Sequence, residues 1–294
     1  MAEHENRSFS FEAIGTHWQI DISNESFSAD LQASILRRID EFDKIYSRFR
    51  DDSVVMAMSR NAGEYVLPDD ARKLLSLYKK LYDITNGLFT PLIGNVLSDA
   101  GYDSSYSFQE KQLRNVPAWE DVMQYEYPVL SMKQPAIIDV GAGGKGYLVD
   151  IIADLLVSHG IDSFLINAGG DIVHRDTDNK KVRIGLEDPA DSKKVVGIAD
   201  IGNQSICGSA TNRRKWGRFH HVMNPKTLSS PEHIIALWVV ADTGLLADAL
   251  ATCLFFTSPE VLLRDFQFEY AIIHTDFRLE KSPTFPAEFF TVLP

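Results

Sequence analysis

The chain has 294 residues, 45% hydrophobic and 24% charged, the balance of an ordinary globular protein with ample material for a core. Its 29 Lys and Arg against 41 Asp and Glu leave a net charge of −12, a poor electrostatic match to nucleic acid or an anionic membrane. Two cysteines, Cys207 and Cys253, are too few for a disulfide framework or a cysteine metal cluster and read as small buried hydrophobes.

The opening segment MAEHENRSFSFEAIG carries no basic-then-apolar export signal and no cysteine to lipidate. No window approaches the roughly 18 apolar residues of a membrane span. The expectation is a cytoplasmic chain without a stable membrane anchor, or a periplasmic one if an export signal has been removed. SFSFEAIGTHWQIDIS alternates and reads as a strand pair bent near Gly15. Leu31, Ile35, Ile39, Phe42 and Ile45 form a helical stripe that Ser28 caps, with Asp30 in the first turn. DDARKLLSLYKKLYDITNG repeats that pattern and stops at Gly87. Residues 103–135 are polar and irregular, an insertion or a connection between lobes. A short strand AIID, a Gly-rich loop and a helix ending at Gly160 come next. SFLINAGGDIVH, KVRIGLED, VVGIADIG, QSICGSA, IIALWVVAD and EYAIIHTD read as strands, and GLLADALATCLFF as an apolar helix. Helices gather early and strands late, which predicts an α+β fold rather than βαβ alternation.

The loop DVGAGGKG fits G-x-G-x-x-G through Gly141, Gly143 and Gly146. So many glycines in a turn cost chain entropy, and close approach of a ligand to the backbone is the usual compensation. A Walker A loop is excluded, because Gly144-Lys145 is followed by Gly146. A Rossmann reading is weak. It needs no Lys inside the turn, and it expects an acid at the end of the next strand, whereas Asp171 follows a Gly-Gly turn. Lys145 suits a phosphate, and Asp139 either accepts hydrogen bonds from a sugar or base or caps the loop itself. Asp248 and Thr252 stand at i and i+4 in an apolar helix. Such a carboxylate needs a partner: Mg²⁺ on hard oxygen ligands, or a local salt bridge with Thr252 bonded back to a carbonyl. Arg213, Arg214, Lys215 and Arg218 flank Trp216-Gly217, a hairpin tip. Alternation turns one of His220 and His221 inward.

In order along the chain, IGT, YSRFRDDS, TNGLFTP, DVGAGGKGYLVD, INAGGDI, HVMNPKT and ADALAT resemble the FAD:protein FMN transferase (ApbE-type) family over nearly the whole length. The resemblance implies one flavin transferase domain over 1–294, or two lobes joined near 103–135. The fold is then α+β, with mixed or antiparallel sheets and packed helices. It implies binding of FAD and Mg²⁺ and transfer of FMN to a Thr hydroxyl of an acceptor protein, with release of AMP. The alternatives within the same site are an FAD pyrophosphatase giving FMN and AMP, and a flavin-binding protein without turnover. By position, Ile14, Phe49, Leu88, Phe89, Thr90, Asp139, Lys145 and Met223 match flavin-contacting residues. Ala142, Asp248, Ala251 and Thr252 match the metal site, and His221, Lys145 and Asp248 carry the chemistry. Three motifs depart: Asn224 and Leu228 replace the Asp and Gly of D-P-x-T-G, Thr90 replaces the Asp of G-x-F-D-P, and AGYD stands for W-G-F.

Overall fold

The computed structural model describes residues 7–23, 25–212 and 214–290, so Arg213 and the first six residues of the opening segment lie outside the described residues. The central sheet has eight strands: β1 (Ser8–Ala13), β2 (Thr16–Ile22), β3 (Phe164–Ala168), β4 (Asp171–Arg175), β5 (Ser205–Ala210), β6 (Ile234–Ala241), β7 (Glu269–His274) and β8 (Leu279–Lys281). They lie side by side in chain order, and every neighbouring pair is antiparallel. A meander of this kind needs no crossover helix, which is why the sequence lacks βαβ alternation. Tight turns close two of its hairpins, Ile14-Gly15 between β1 and β2 and Gly169-Gly170 between β3 and β4, all at positive φ.

The long excursion between β2 and β3 supplies helices α1 (Ala29–Tyr46), α2 (Ala71–Ile84) and α3 (Gly144–Ser158), and α4 (Gly244–Cys253) follows β6. Ser28 accepts the Leu31 N–H at 3.1 Å and so starts α1 where the stripe begins. Beyond α2 the chain reverses through Asn86 and Gly87, both left-handed. These helices cover one face of the sheet, where Ile166, Cys207, Leu237 and Val239 join the apolar faces of the helices in a single core. On the opposite face, Ile172, Ile206, Trp238 and Val240 pack against a three-stranded sheet formed by Val182–Asp188, Asp191–Ile201 and Ala287–Phe289. With both faces covered, β6 has no wet side, and its sequence IIALWVVA accordingly shows no alternation.

Two local expectations change. AIID is not a strand: it is a segment whose N–H groups go to the carbonyls of two short helices, Ala136 to Met58 at 3.3 Å and Asp139 to Pro91 at 2.7 Å. The stretch 103–135 is irregular only in its first half. Met123–Glu126 and Val129–Met132 form a hairpin that pairs with Gly63–Val66, an order set by distant partners rather than by local pattern.

The glycines of the loop also serve a different end from the one their pattern suggested. None of Gly141, Gly143, Gly144 and Gly146 has a positive φ. A Cβ on Gly146 would meet the Gly244 carbonyl oxygen at 2.2 Å, and one on Gly143 would meet Ala249 Cβ at 3.2 Å. These residues let α3 and α4 approach within backbone contact. Gly146→Ala should therefore destabilise the protein by about 2–4 kcal/mol in urea unfolding, because the clash is with main chain that cannot rotate away. Gly202→Ala, where a Cβ meets nothing within 4 Å, should stay within about 0.5 kcal/mol of the parent.

Candidate active site

At the crossing of α3 and α4 each helix places a carboxylate on the first turn of the other. Asp248 of α4 accepts the Gly146 N–H at 2.9 Å. Asp150 of α3 accepts the Gly244 and Leu245 N–H groups at 2.7 and 2.8 Å. N-terminal amides that neither helix can satisfy internally are thereby met, and two positive dipole ends are held together.

Beside this crossing opens a cavity of about 950 Å³. The resemblance-based residues Ile14, Phe49, Leu88, Phe89, Thr90, Asp139, Ala142, Lys145, His221, Met223, Asp248 and Thr252 all line it, although they span more than 230 positions of sequence. Ala251 does not line the cavity and is fully buried. Just beyond α4, the Phe255 N–H turns to the Thr252 carbonyl at 3.3 Å, which takes it off the i to i+4 ladder that would end on Ala251.

Charge in the cavity is arranged in pairs. Lys145 forms an ion pair with Asp171, the first residue of β4, which is 1% exposed. Burial works against the Lys145 ammonium, but the Asp171 and Asp248 carboxylates outweigh it and hold its pKa above the ordinary lysine value. Burial first, then repulsion from Asp171, drives the Asp248 carboxyl well above the usual carboxylate range. The same two causes, burial and nearby carboxylates, push the Cys207 thiol up, so it stays an inert thiol. Arg48 Nε meets Asp139 Oδ2 at 2.5 Å, and the other Asp139 oxygen accepts the Gly141 N–H at 2.7 Å. Asp139 thus both caps the loop and pairs with an arginine.

An all-oxygen set stands at the helix crossing. Thr252 Oγ1 donates to the Ala142 carbonyl at 3.3 Å, and Asp248 lies one turn before Thr252. A buried carboxylate that accepts a backbone amide, together with a hydroxyl and a main-chain carbonyl, is a hard donor set suited to a divalent cation. Among the described residues no three His, Cys, Asp or Glu side chains form a metal cage. A cation here would draw its remaining oxygens from a ligand such as a phosphate, the usual habit of Mg²⁺.

The roof is aromatic. Tyr102 and Tyr106 join Phe49, with Tyr106 stacked on Phe49 at 5.3 Å and 5°. Cationic side chains Arg48, Arg50, Arg214 and Lys215 reach the same cavity. A flat ring and an anion therefore both find matching walls.

The family model of ApbE matches residues 14–270. The chain belongs to the ApbE family. Among similar proteins, the FAD:protein FMN transferase of Escherichia coli (strain K12) is 24% identical, over 84% of this chain and 77% of that protein. That of Treponema pallidum (strain Nichols) is 25% identical, over 86% and 80%. The flavin transferase ApbE from Vibrio cholerae shares the fold with a TM-score of 0.79 at 23% identity, covering 95% of this chain and 97% of that one. The ApbE protein from Thermotoga maritima gives 0.80 at 21% identity, covering 96% and 99%.

The departures from the family motifs now have places. Asn224 does not line the cavity; its Oδ1 accepts the Lys226 and Thr227 N–H groups at 2.9 and 3.2 Å, a turn that an amide oxygen closes as well as a carboxylate. Leu228, where the family has Gly, sits at φ 54°, the left-handed region that favours glycine. Thr90 does line the cavity and spends its hydroxyl on the Leu92 N–H at 3.2 Å. His220 is the inward histidine: it is buried, bonded to the Pro231 carbonyl at 2.9 Å and lowered in pKa chiefly by burial, whereas His221 faces the cavity. Sequence reasoning missed Arg48, Asp171, Tyr102 and Tyr106 as site residues. Arg48 and Asp171 stand inside the quoted motifs, but no spacing rule says which charged side chain of a strand start or helix end turns inward.

Asp150 offers a pH test of the helix crossing. Burial raises its pKa to about 6 against the pull of the two N–H bonds. A carboxyl with a raised folded-state pKa holds its proton more tightly folded than unfolded, so its contribution to stability falls between about pH 4 and 6 and then levels. Asp150→Asn should shift in stability relative to the parent, in the variant's favour, by on the order of 1–3 kcal/mol across that window. Urea unfolding of both proteins at pH 4, 5, 6 and 7 reads the difference, and a gap that does not change with pH contradicts it.

Proposed function

We propose that this chain is a Mg²⁺-dependent FAD:protein FMN transferase, moving FMN from FAD to a Thr hydroxyl of an acceptor flavoprotein and releasing AMP. The observation that carries the reading is the convergence, in one cavity, of the Asp248–Thr252–Ala142 oxygen set, the Lys145 ammonium and an aromatic wall. The activity printed for the relatives from Escherichia coli and Treponema pallidum supports it.

Phosphoryl transfer at a pyrophosphate requires charge neutralisation and in-line positioning more than covalent chemistry from the protein. Asp248, Thr252 and the Ala142 carbonyl would hold Mg²⁺. When bound, the cation supplies Lewis-acid neutralisation of the pyrophosphate oxygens. Lys145, held protonated and aimed by Asp171, adds a second positive charge. Phe49 and its neighbours orient the flat ring by stacking. His221 takes the proton as the acceptor hydroxyl oxygen bonds to the FMN phosphorus; the bond from that phosphorus to the bridging oxygen breaks, and AMP leaves with that oxygen. Asn224 stands outside the cavity, so its exchange from Asp removes no group from this sequence of events.

The deciding assay incubates the protein with FAD, Mg²⁺ and an acceptor peptide carrying a Ser-Gly-Ala-Thr motif. Mass spectrometry should find an FMN adduct on the Thr. FMN and AMP formed in equal amounts without adduct would make the chain an FAD pyrophosphatase instead. Asp248→Ala should lose the rise in Tm that Mg²⁺ with ADP gives the parent. His221→Asn should keep FAD binding while transfer falls about 10²–10⁴-fold, measured by adduct formation against FAD titration.

A further inference from the structure

Arg48 follows α1 by two residues and is 5% exposed, in a cavity that it lines. Its guanidinium is fixed from several sides. Nε donates to Asp139 and Nη1 to the Tyr102 carbonyl, both at 2.5 Å. The plane lies over the Phe49 ring at 4.2 Å and the Tyr102 ring at 4.7 Å. Nη2 is buried and has no hydrogen-bond partner among the described residues. A buried guanidinium donor without an acceptor is costly, and native proteins avoid it unless a ligand or water completes the bond.

The kind of acceptor follows from the charges. Asp139 already neutralises Arg48, so what remains unmet is the Nη2 donor rather than a unit of charge. Lys145, paired with Asp171, and the oxygen set of Asp248, Thr252 and Ala142 carry the charge and hard donors that suit the phosphates. Around Arg48 the walls are rings: Phe49, Tyr102 and Tyr106. A neutral acceptor on a planar ring fits both conditions. An isoalloxazine presents such carbonyl oxygens on its pyrimidine edge, whereas adenine has no carbonyl.

We propose that Arg48 is a specificity-determining residue: its Nη2 donates to a ring carbonyl oxygen of the isoalloxazine and so selects the flavin end of the dinucleotide for the Phe49–Tyr102 wall. This rests on the reading of FAD as substrate. Arg48 makes no contact with the reacting phosphorus in this arrangement, and its effect is on which end of the substrate the wall accepts.

The test measures FAD and ADP affinity by calorimetry for the parent, Arg48→Met and the double variant Arg48→Met/Asp139→Asn. The double variant removes both members of the ion pair and leaves no uncompensated carboxylate, so it serves where the single variant fails to fold. The expected result is an FAD affinity at least about 10-fold weaker in the variants, the worth of one charged hydrogen bond, with ADP affinity within about twofold of the parent. Equal loss of FAD and ADP binding overturns the proposal, because the partner is then a phosphate or the whole cavity. Unchanged FAD affinity, or its recovery in the double variant, also overturns it while leaving the flavin reading intact. A parent protein that binds ADP but not FAD overturns both.

Discussion

Everything at the candidate site hangs on the exchange of carboxylates between two helix beginnings. Brought within backbone contact, two helix N-termini present unpaired amides and like dipole ends to one another. Asp248 and Asp150 resolve this reciprocally. The close approach demands glycine at 146 and 244, where even a methyl group would strike the opposing main chain. The exchange also holds Asp248 against the start of α3, one turn of α4 before Thr252, whose hydroxyl donates to the Ala142 carbonyl. A structural solution to helix packing and a set of cation-ready oxygens are thus the same arrangement.

The antiparallel meander supplies the rigid floor. Because its strands run in chain order, β3, β4 and β5 lie together, and the Gly169-Gly170 turn brings Asp171 up beneath Lys145. The aromatic roof comes from elsewhere: the end of α1, the irregular segment after Gly101 and the hairpin of Lys215–Trp216 with Phe219–His220. Floor and roof have different stability requirements. The floor is core, and left-handed backbone borders the cavity on both sides, at Ile14 in the floor and at Tyr106 and Phe108 in the roof.

Where the fold departs from local pattern or adds to it, the cause is shared. AIID has the composition of a strand but finds carbonyls of two short helices instead of a ladder. The crowded glycines read as a ligand cradle; Gly141 and Gly144 do line the cavity, while Gly143 and Gly146 serve the packing of α3 on α4. Asp139 read as a ligand contact or a turn cap; it caps the turn, lines the cavity and also anchors a buried arginine. In each case the local pattern was sound and the partner was distant.

What the sequence determined by itself was most of the elements and the chemical character of the site: the amphipathic helices, the doubly buried strand IIALWVVA, the Lys145 loop and the Asp248–Thr252 pair. Those depend on periodicity and residue type, which short stretches encode. The tertiary structure alone decided which charges neutralise which. Lys145 and Asp171 are 26 positions apart, Arg48 and Asp139 are 91, and Gly146 and Asp248 are 102. Burial makes such pairings obligatory, since an unpaired charge away from water is too costly to keep. Yet no rule of spacing names the partner until the strands and helices have been laid side by side.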